Sequence, residues 1–109
     1  MTPAEILARL EDCTIERFGH AEHVAAAWEA LRVDPFDRAA ARICSAIQRF
    51  AAAHGKSSKF DQAMTVGFLR IIDSCRRDLG WAEFRGANPG LFDRTDREVR
   101  RLMGMRRSA

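Results

Sequence analysis

The sequence has little that would cross-link it, carry it through a membrane or bind a phosphate chain. Its three cysteines, Cys13, Cys44 and Cys75, are far apart and have neither metal-ligand nor redox spacing. It has no run of about 18 consecutive apolar residues, so no membrane-spanning helix is expected. It also lacks the Gly-x-Gly-x-x-Gly loop of dinucleotide-binding proteins and the Gly-x-Ser-x-Gly elbow of many hydrolases.

The cysteines and the N-terminus both bear on where the protein works. Cys44 and Cys75 fall on apolar helix faces, so we interpret them as small core residues. An odd number of unpaired cysteines is typical of a reducing compartment. The first residues, Met-Thr-Pro-Ala-Glu, lack the basic start and apolar run of a secretory signal. We therefore predict a cytoplasmic protein.

Charge of one sign is only slightly in excess. The chain has 18 basic and 15 acidic residues, and every basic residue except Lys56 and Lys59 is arginine. Acidic residues are interleaved with most of the arginines, a pattern typical of solvated helix faces. A broad surface for nucleic acid is therefore not indicated, and we expect no nucleic-acid partner.

Length and composition indicate one globular domain. The chain has 109 residues, of which 47% are hydrophobic and 30% are charged. A chain of this size can bury a core without cross-links. We predict that residues 1–104 form a single helical domain and that residues 105–109 form a basic, frayed tail.

Capping patterns predict the first two helices. Thr2-Pro3-Ala4-Glu5 combines a capping box with proline at the first helical position, so a short helix begins there. Residues 14–19 form a connection that ends in Gly19. A second helix is predicted from His20 to Arg32, and its many alanines allow another helix to approach closely.

The third and fourth helices follow the same logic. Asp34-Pro35 is a cap-plus-proline start, and apolar residues at steps of three and four run from there to His54, where Gly55 ends the helix. The fourth helix is predicted to open at Ser57 or Ser58 and to continue to Leu79, with Gly80 as its stop.

Shorter helices are expected at the C-terminal end. Trp81 and Phe84 predict a short helix, which a turn connects to a packed anchor at residues 91–92. A capping box at residues 95–98 predicts a last helix. Since no strand-like alternation is present, the fold class is all-α: a small bundle of four main helices plus short C-terminal helices.

One polar constellation is a candidate site. His20 and His23 lie three residues apart at the start of the second helix, and Asp61 lies at the start of the fourth. If these helices pack side by side, two imidazoles and one carboxylate can bind a divalent transition metal. Without metal, the same trio can transfer protons, with Lys59 as a positive charge for an anionic substrate.

Structural roles explain the same residues without any chemistry. Ser58 and Asp61 fit a capping box, and a carboxylate there also satisfies the helix dipole. His54 is favourable at the C-terminal end of a helix, on what we interpret as the core-facing stripe. His20 is then a buried, hydrogen-bonded core histidine, and His23 is a surface residue.

The polar residues also carry a family resemblance. Phe18-x-His20-x-x-His23, an Ala-x-x-His54-Gly55 segment and Lys59-Phe60-Asp61-x-x-x-Thr65 resemble a family of small uncharacterised bacterial proteins. Its members carry Phe-x-His-x-x-His, then Ala-His-Gly and Lys-Tyr-His-x-Thr-x-Thr. The resemblance spans about residues 4–92 and implies an all-helical fold, but no established activity, cofactor or substrate.

The resemblance implies a polar site, and this chain departs from the family pattern at three positions. It groups His20, His23 and the position of Asp61, with Lys59 and Thr65 beside them. In this chain Phe60 replaces tyrosine, Asp61 replaces histidine and Ala63 replaces threonine. The change to Asp61 keeps a metal ligand or proton carrier but alters its charge and reach.

Two functions follow from these patterns. In the first, a pocket lined by His20, His23 and Asp61 binds a small ligand or metal, with acid–base chemistry as one use. In the second, the protein is an interaction or homodimerisation module without catalysis. The alanine-rich face with Trp28, or the Trp81/Phe84 segment, would then be its docking surface.

Overall fold

The protein is an all-helical bundle, as predicted. The computed structural model describes residues 1–92, for Lys59 the backbone only. This part of the chain contains no strand. None of its helices combines the length and the apolar character needed to cross a membrane. Its five α-helices are α1 (Pro3–Glu11), α2 (His20–Val33), α3 (Phe36–Ala53), α4 (Gln62–Arg76) and α5 (Trp81–Ala87). Two 3-10 helices, Ser57–Lys59 and Pro89–Phe92, follow α3 and α5. The predicted last helix and tail lie outside the described residues.

Helix α1 begins as its sequence predicted. The Thr2 hydroxyl accepts a hydrogen bond from the Glu5 backbone N–H at 3.2 Å, and the Glu5 carboxylate accepts one from the Thr2 N–H at 2.8 Å. These bonds stabilise the charged carboxylate, so the pKa of Glu5 lies below its usual value. The apolar face of α1 then buries Ile6, Leu7 and Leu10 against the core.

Helix α2 is the centre of the bundle. Every residue from 24 to 31 is buried, and the helix packs against α1, α3, α4 and the second 3-10 helix. A helix surrounded in this way needs thin side chains on several faces, which Ala25, Ala26, Ala27 and Ala30 provide. The alanine-rich face therefore lies inside the bundle.

Helix α3 does not start with the predicted cap. Pro35 occupies the cap position, and no side chain bonds the first turn. Asp34 instead ends α2 and forms an ion pair with Arg42 at 3.5 Å. The Arg42 guanidinium also binds the Glu11 carboxylate through two nitrogens. Arg42 therefore ties the ends of α1 and α2 to α3, and Asp34 serves this charge pairing rather than a helix cap.

Helix α4 is shorter than predicted at both ends. It begins at Gln62 rather than Ser57 or Ser58, because the serines lie in a separate 3-10 turn. It ends at Arg76 rather than Leu79, because Arg77 adopts φ 44° and ψ −130°. Gly80, the predicted stop, instead starts α5 and donates its N–H to the Glu83 carboxylate at 3.0 Å.

Replacing Arg77 with glycine should stabilise the protein. A positive φ strains any residue with a Cβ, and relieving it is expected to add about 1 kcal/mol to the free energy of unfolding. Urea unfolding monitored by circular dichroism measures the change. Arg77→Ala removes the same charge and keeps the Cβ, so it should bring no gain; equal effects would refute the strain argument.

Helix α5 is the predicted short helix, and the second 3-10 helix holds the predicted packed anchor at residues 91–92. The ring of Trp81 lies 6.1 Å from that of Phe84 and 5.7 Å from that of Phe92. It also lies 5.4 Å from the ring of Trp28, which connects the anchor to α2. Phe84 is completely buried, so this cluster is part of the main core.

Cys44 should react slowly with alkylating reagents. Burial raises the pKa of its thiol above the ordinary value of 9.0, so little reactive thiolate forms at pH 8. Peptide-resolved mass spectrometry with iodoacetamide should show slower labelling of Cys44 in native protein than in urea. Equal labelling rates in native and urea-unfolded protein would contradict this expectation.

The same pKa shift makes stability depend on pH. Because the folded pKa of Cys44 exceeds the unfolded one, the contribution of Cys44 to stability is present below pH 9 and is lost as the pH rises through the folded value.

Candidate functional site

All three histidines of the chain lie at one end of the bundle. We call this the histidine end: the loop and first turn of α2 (18–23), the last turn of α3 (50–54) and the connection 55–61. Helices α2 and α3 follow one another and pack together, so the start of one lies beside the end of the other. Direct contact confirms this, since the Phe18 and Phe50 rings lie 5.5 Å apart.

His20 is held by packing and by one backbone bond. Its Nε2 lies 2.7 Å from the carbonyl oxygen of Leu91, 71 positions along the chain. A carbonyl only accepts hydrogen bonds, so Nε2 carries the proton and donates it. The ring also lies 5.4 Å from that of Phe68 on α4. His20 therefore ties the second 3-10 helix to α2. It is hydrogen-bonded, as the core-histidine interpretation predicted, but it is half-buried rather than buried.

His23 and His54 stand at the two ends of a row of rings. The His23 ring is 4.0 Å from that of Phe18, which contacts Phe50, and the Phe50 ring is 4.2 Å from that of His54. His54 is exposed rather than core-facing, because α3 ends at Ala53 and the chain turns away. Its Nδ1 lies 3.0 Å from the Phe50 carbonyl oxygen, to which it donates a hydrogen bond.

Asp61 is the N-cap of α4. Its carboxylate accepts a hydrogen bond from the Met64 N–H at 3.0 Å, and its carbonyl accepts one from the Thr65 hydroxyl at 2.8 Å. The capping role predicted for Asp61 is thus confirmed, but its side chain caps the helix directly and Ser58 belongs to the preceding 3-10 turn.

The described residues do not assemble His20, His23 and Asp61 into a metal site. The His20 ring contacts Phe68, which lies two turns beyond Asp61, about 10 Å along the axis of α4. Within residues 1–92, no three His, Cys, Asp or Glu side chains are placed to hold a metal ion. The geometry therefore lends no support to metal binding by His20, His23 and Asp61. Lys59 lies in the 3-10 helix between α3 and α4.

Substitution of Asp61 separates its structural role from a chemical one. Asp61→Ala removes the cap and should lower the free energy of unfolding by about 1 kcal/mol. Asp61→Asn keeps a capping oxygen and removes the charge, so stability should change by only a few tenths of a kcal/mol. Thermal unfolding of the two variants makes the comparison. A large loss in Asp61→Asn would show that the charge itself is needed.

Sequence reasoning missed two parts of this end. Phe18 and Phe50 both belong to the motif segments, yet their joining of His23 to His54 was not foreseen. The sequence did carry a signal for these contacts, because Phe18 lies five positions before His23 and Phe50 lies four positions before His54. The partner of His20 is a backbone carbonyl of Leu91, and a backbone group leaves no signal in the sequence.

The proposed docking surfaces are largely covered. The alanines of α2 and Trp28 are buried within the chain, and Phe84 is completely buried. Large apolar side chains that stand exposed in the described part of the chain are Met1 and Val33. Single exposed apolar residues are normal for soluble surfaces and do not define an interface.

The histidine end contains a row of two imidazoles and two phenyl rings, at the place where the start of α2, the end of α3 and the start of α4 meet. It offers hydrogen-bond donors and proton carriers but no assembled metal ligands among the described residues. Comparison of the chain with protein-family models, with curated proteins and with solved structures finds no match, so the family resemblance stays a prediction.

Proposed function

We propose that the histidine end binds a small anionic ligand, with its imidazoles as hydrogen-bond donors and proton carriers. The observation that carries this proposal is the row His23–Phe18–Phe50–His54, which joins an imidazole in the first turn of α2 to one just after α3 through two phenyl rings. Imidazoles next to aromatic rings combine a polar contact with an apolar wall, a combination common in small-ligand sites.

The charges of the connecting segment favour an anion. The only two lysines of the chain, Lys56 and Lys59, lie two and five positions after His54, and no acidic residue intervenes before Asp61. Helices α2 and α4 also begin at this end, where the carboxylates of Glu22 and Asp61 already accept backbone hydrogen bonds. The two lysines and the imidazoles are therefore the groups that an anion would meet here. Carboxylates and phosphates are the ligand groups that such donors bind most strongly.

The histidines have different roles in this proposal. His54 donates its Nδ1–H to the Phe50 carbonyl, so Nε2 is the nitrogen left for a ligand, and it donates to an anion when the ring carries both protons. An imidazole is also the side chain best suited to moving protons near neutral pH. His20 donates Nε2–H to Leu91, so it positions the start of α2 rather than the ligand.

Nuclear magnetic resonance on histidine-labelled protein tests the proposal. Only three imidazole spin systems exist, so each is followed separately while inorganic phosphate or acetate is added. The signals of His23 and His54 should shift with saturation, and that of His20 should shift less. No saturable shift with either anion would overturn the proposal.

Matched variants locate the binding. His54→Gln and Lys56→Gln should each weaken phosphate binding about three- to tenfold, the loss of one charge-assisted contact. Arg38→Gln removes a positive charge from the opposite end of α3 and should leave affinity unchanged. Calorimetry with zinc, iron or manganese tests whether the ligand is a metal instead. Stoichiometric binding heat that disappears in His23→Gln would show that the site binds a metal rather than an anion.

A further inference from the structure

The indole nitrogen of Trp28 is a buried donor without an acceptor. Trp28 is 6% exposed, and its Nε1 has no hydrogen-bond partner in the part of the chain that the structure describes. Buried side-chain donors in native proteins almost always have a partner, and an unsatisfied one weakens the fold. The position therefore calls for an acceptor that the described residues do not provide.

The surroundings of this donor are aromatic and electrically balanced. The Trp81 ring of α5 lies 5.4 Å from the Trp28 ring, and the Arg32 guanidinium lies 5.8 Å from the same ring. The Arg32 charge is matched by Glu29, which accepts two hydrogen bonds from it at 3.1 and 2.9 Å. A charged ligand would lose its hydration on binding here and would meet no unpaired opposite charge. A neutral ligand therefore fits this position better.

We propose that Trp28 and Trp81 form a binding site for an uncharged planar ligand that carries a carbonyl acceptor, such as an aromatic carboxamide. The ligand ring would stack on Trp81, and its carbonyl oxygen would accept the Trp28 N–H. Trp81 is half-buried and its ring packs against that of Trp28, so the proposal requires the Trp81 ring to move and admit the ligand. Trp28 lies about 12 Å along α2 from His20, so this site is distinct from the histidine end.

Intrinsic fluorescence reads this site directly, because Trp28 and Trp81 are the only tryptophans of the chain. Benzamide should change the emission with saturation and a dissociation constant on the order of 1 mM, as expected for so small a ligand. Toluene has the ring without the acceptor, and benzoate adds a charge; both should bind at least about tenfold more weakly. Equal binding of toluene, or no binding of benzamide, would overturn the proposal.

A conservative variant and a direct signal complete the test. Trp28→Phe keeps an aromatic ring and removes the donor, so its affinity for benzamide should fall to that for toluene, with Trp81 as the reporter. Undiminished affinity would overturn the proposal. In unmodified protein, benzamide should move the indole N–H resonance of Trp28 downfield as the hydrogen bond forms. This second readout holds even if the variant does not fold, and an unmoved resonance at saturation would equally overturn the proposal.

Discussion

Replacing Phe84 with alanine is expected to lower the free energy of unfolding by about 3–5 kcal/mol, the usual loss for a buried phenylalanine. Phe84 is 0% exposed, and its ring lies 6.1 Å from that of Trp81 and 6.2 Å from that of Phe92. Removing it leaves a cavity between α5 and the bundle. A short helix of seven residues has little stability of its own, so α5 should loosen with it.

Urea unfolding at 25 °C, followed by circular dichroism and tryptophan emission, measures this loss. Phe84→Leu keeps most of the volume and should lose less than half as much. Val33→Ala removes an apolar side chain that is 54% exposed and should change stability by less than about 0.5 kcal/mol. A loss below about 1 kcal/mol in Phe84→Ala would show that this ring is not part of the main core.

The Phe84→Ala variant also tests the connection between the core and the histidine end. Phe92 follows Leu91, whose carbonyl accepts the hydrogen bond of His20. Loosening α5 and the second 3-10 helix should therefore move the imidazole signals of His20 while those of His54 stay in place. If both histidines respond equally, the loss of Phe84 has acted on the whole bundle rather than on its anchor.

Enlarging Ala30 to leucine is expected to destabilise the protein by about 1–3 kcal/mol. Ala30 is 0% exposed on α2, which is enclosed by three other helices. The added carbons have no space, so either α2 shifts or its neighbours move apart. Thermal and urea unfolding both report the loss.

Ala41→Leu is the matched control for Ala30→Leu. Ala41 is exposed on α3, and leucine is almost as good a helix former as alanine. Stability should therefore change by less than about 0.5 kcal/mol. If the chain tolerated leucine equally well at both positions, α2 would not be the tightly enclosed centre of the bundle.

Patterns confined to a few neighbouring residues led to correct predictions. The capping box at Thr2 and Glu5, the start of α2 at His20 and the end of α3 before Gly55 all match the structure. Gly55 has φ 68°, a conformation that favours glycine. Such features depend on bonds within one helical turn, so neighbouring residues are sufficient to determine them.

Ambiguous polar residues were predicted less well. Asp34 and Asp61 both precede a possible helix start, yet Asp61 caps α4 and Asp34 pairs with Arg42. Local sequence offers both roles to each carboxylate. The choice depends on whether a guanidinium from another helix lies within reach, which only the packing determines.

Local sequence was enough to specify the helices, the fold class and the set of candidate polar residues, because caps and apolar periodicity act over four residues or fewer. Which of those residues meet was decided by the folded chain alone. His20 pairs with a carbonyl 71 positions away, and packing of helices from distant segments joins His23 to His54 and leaves Trp28 without an acceptor among the described residues. These contacts depend on the mutual orientation of whole helices, which no short stretch of sequence encodes.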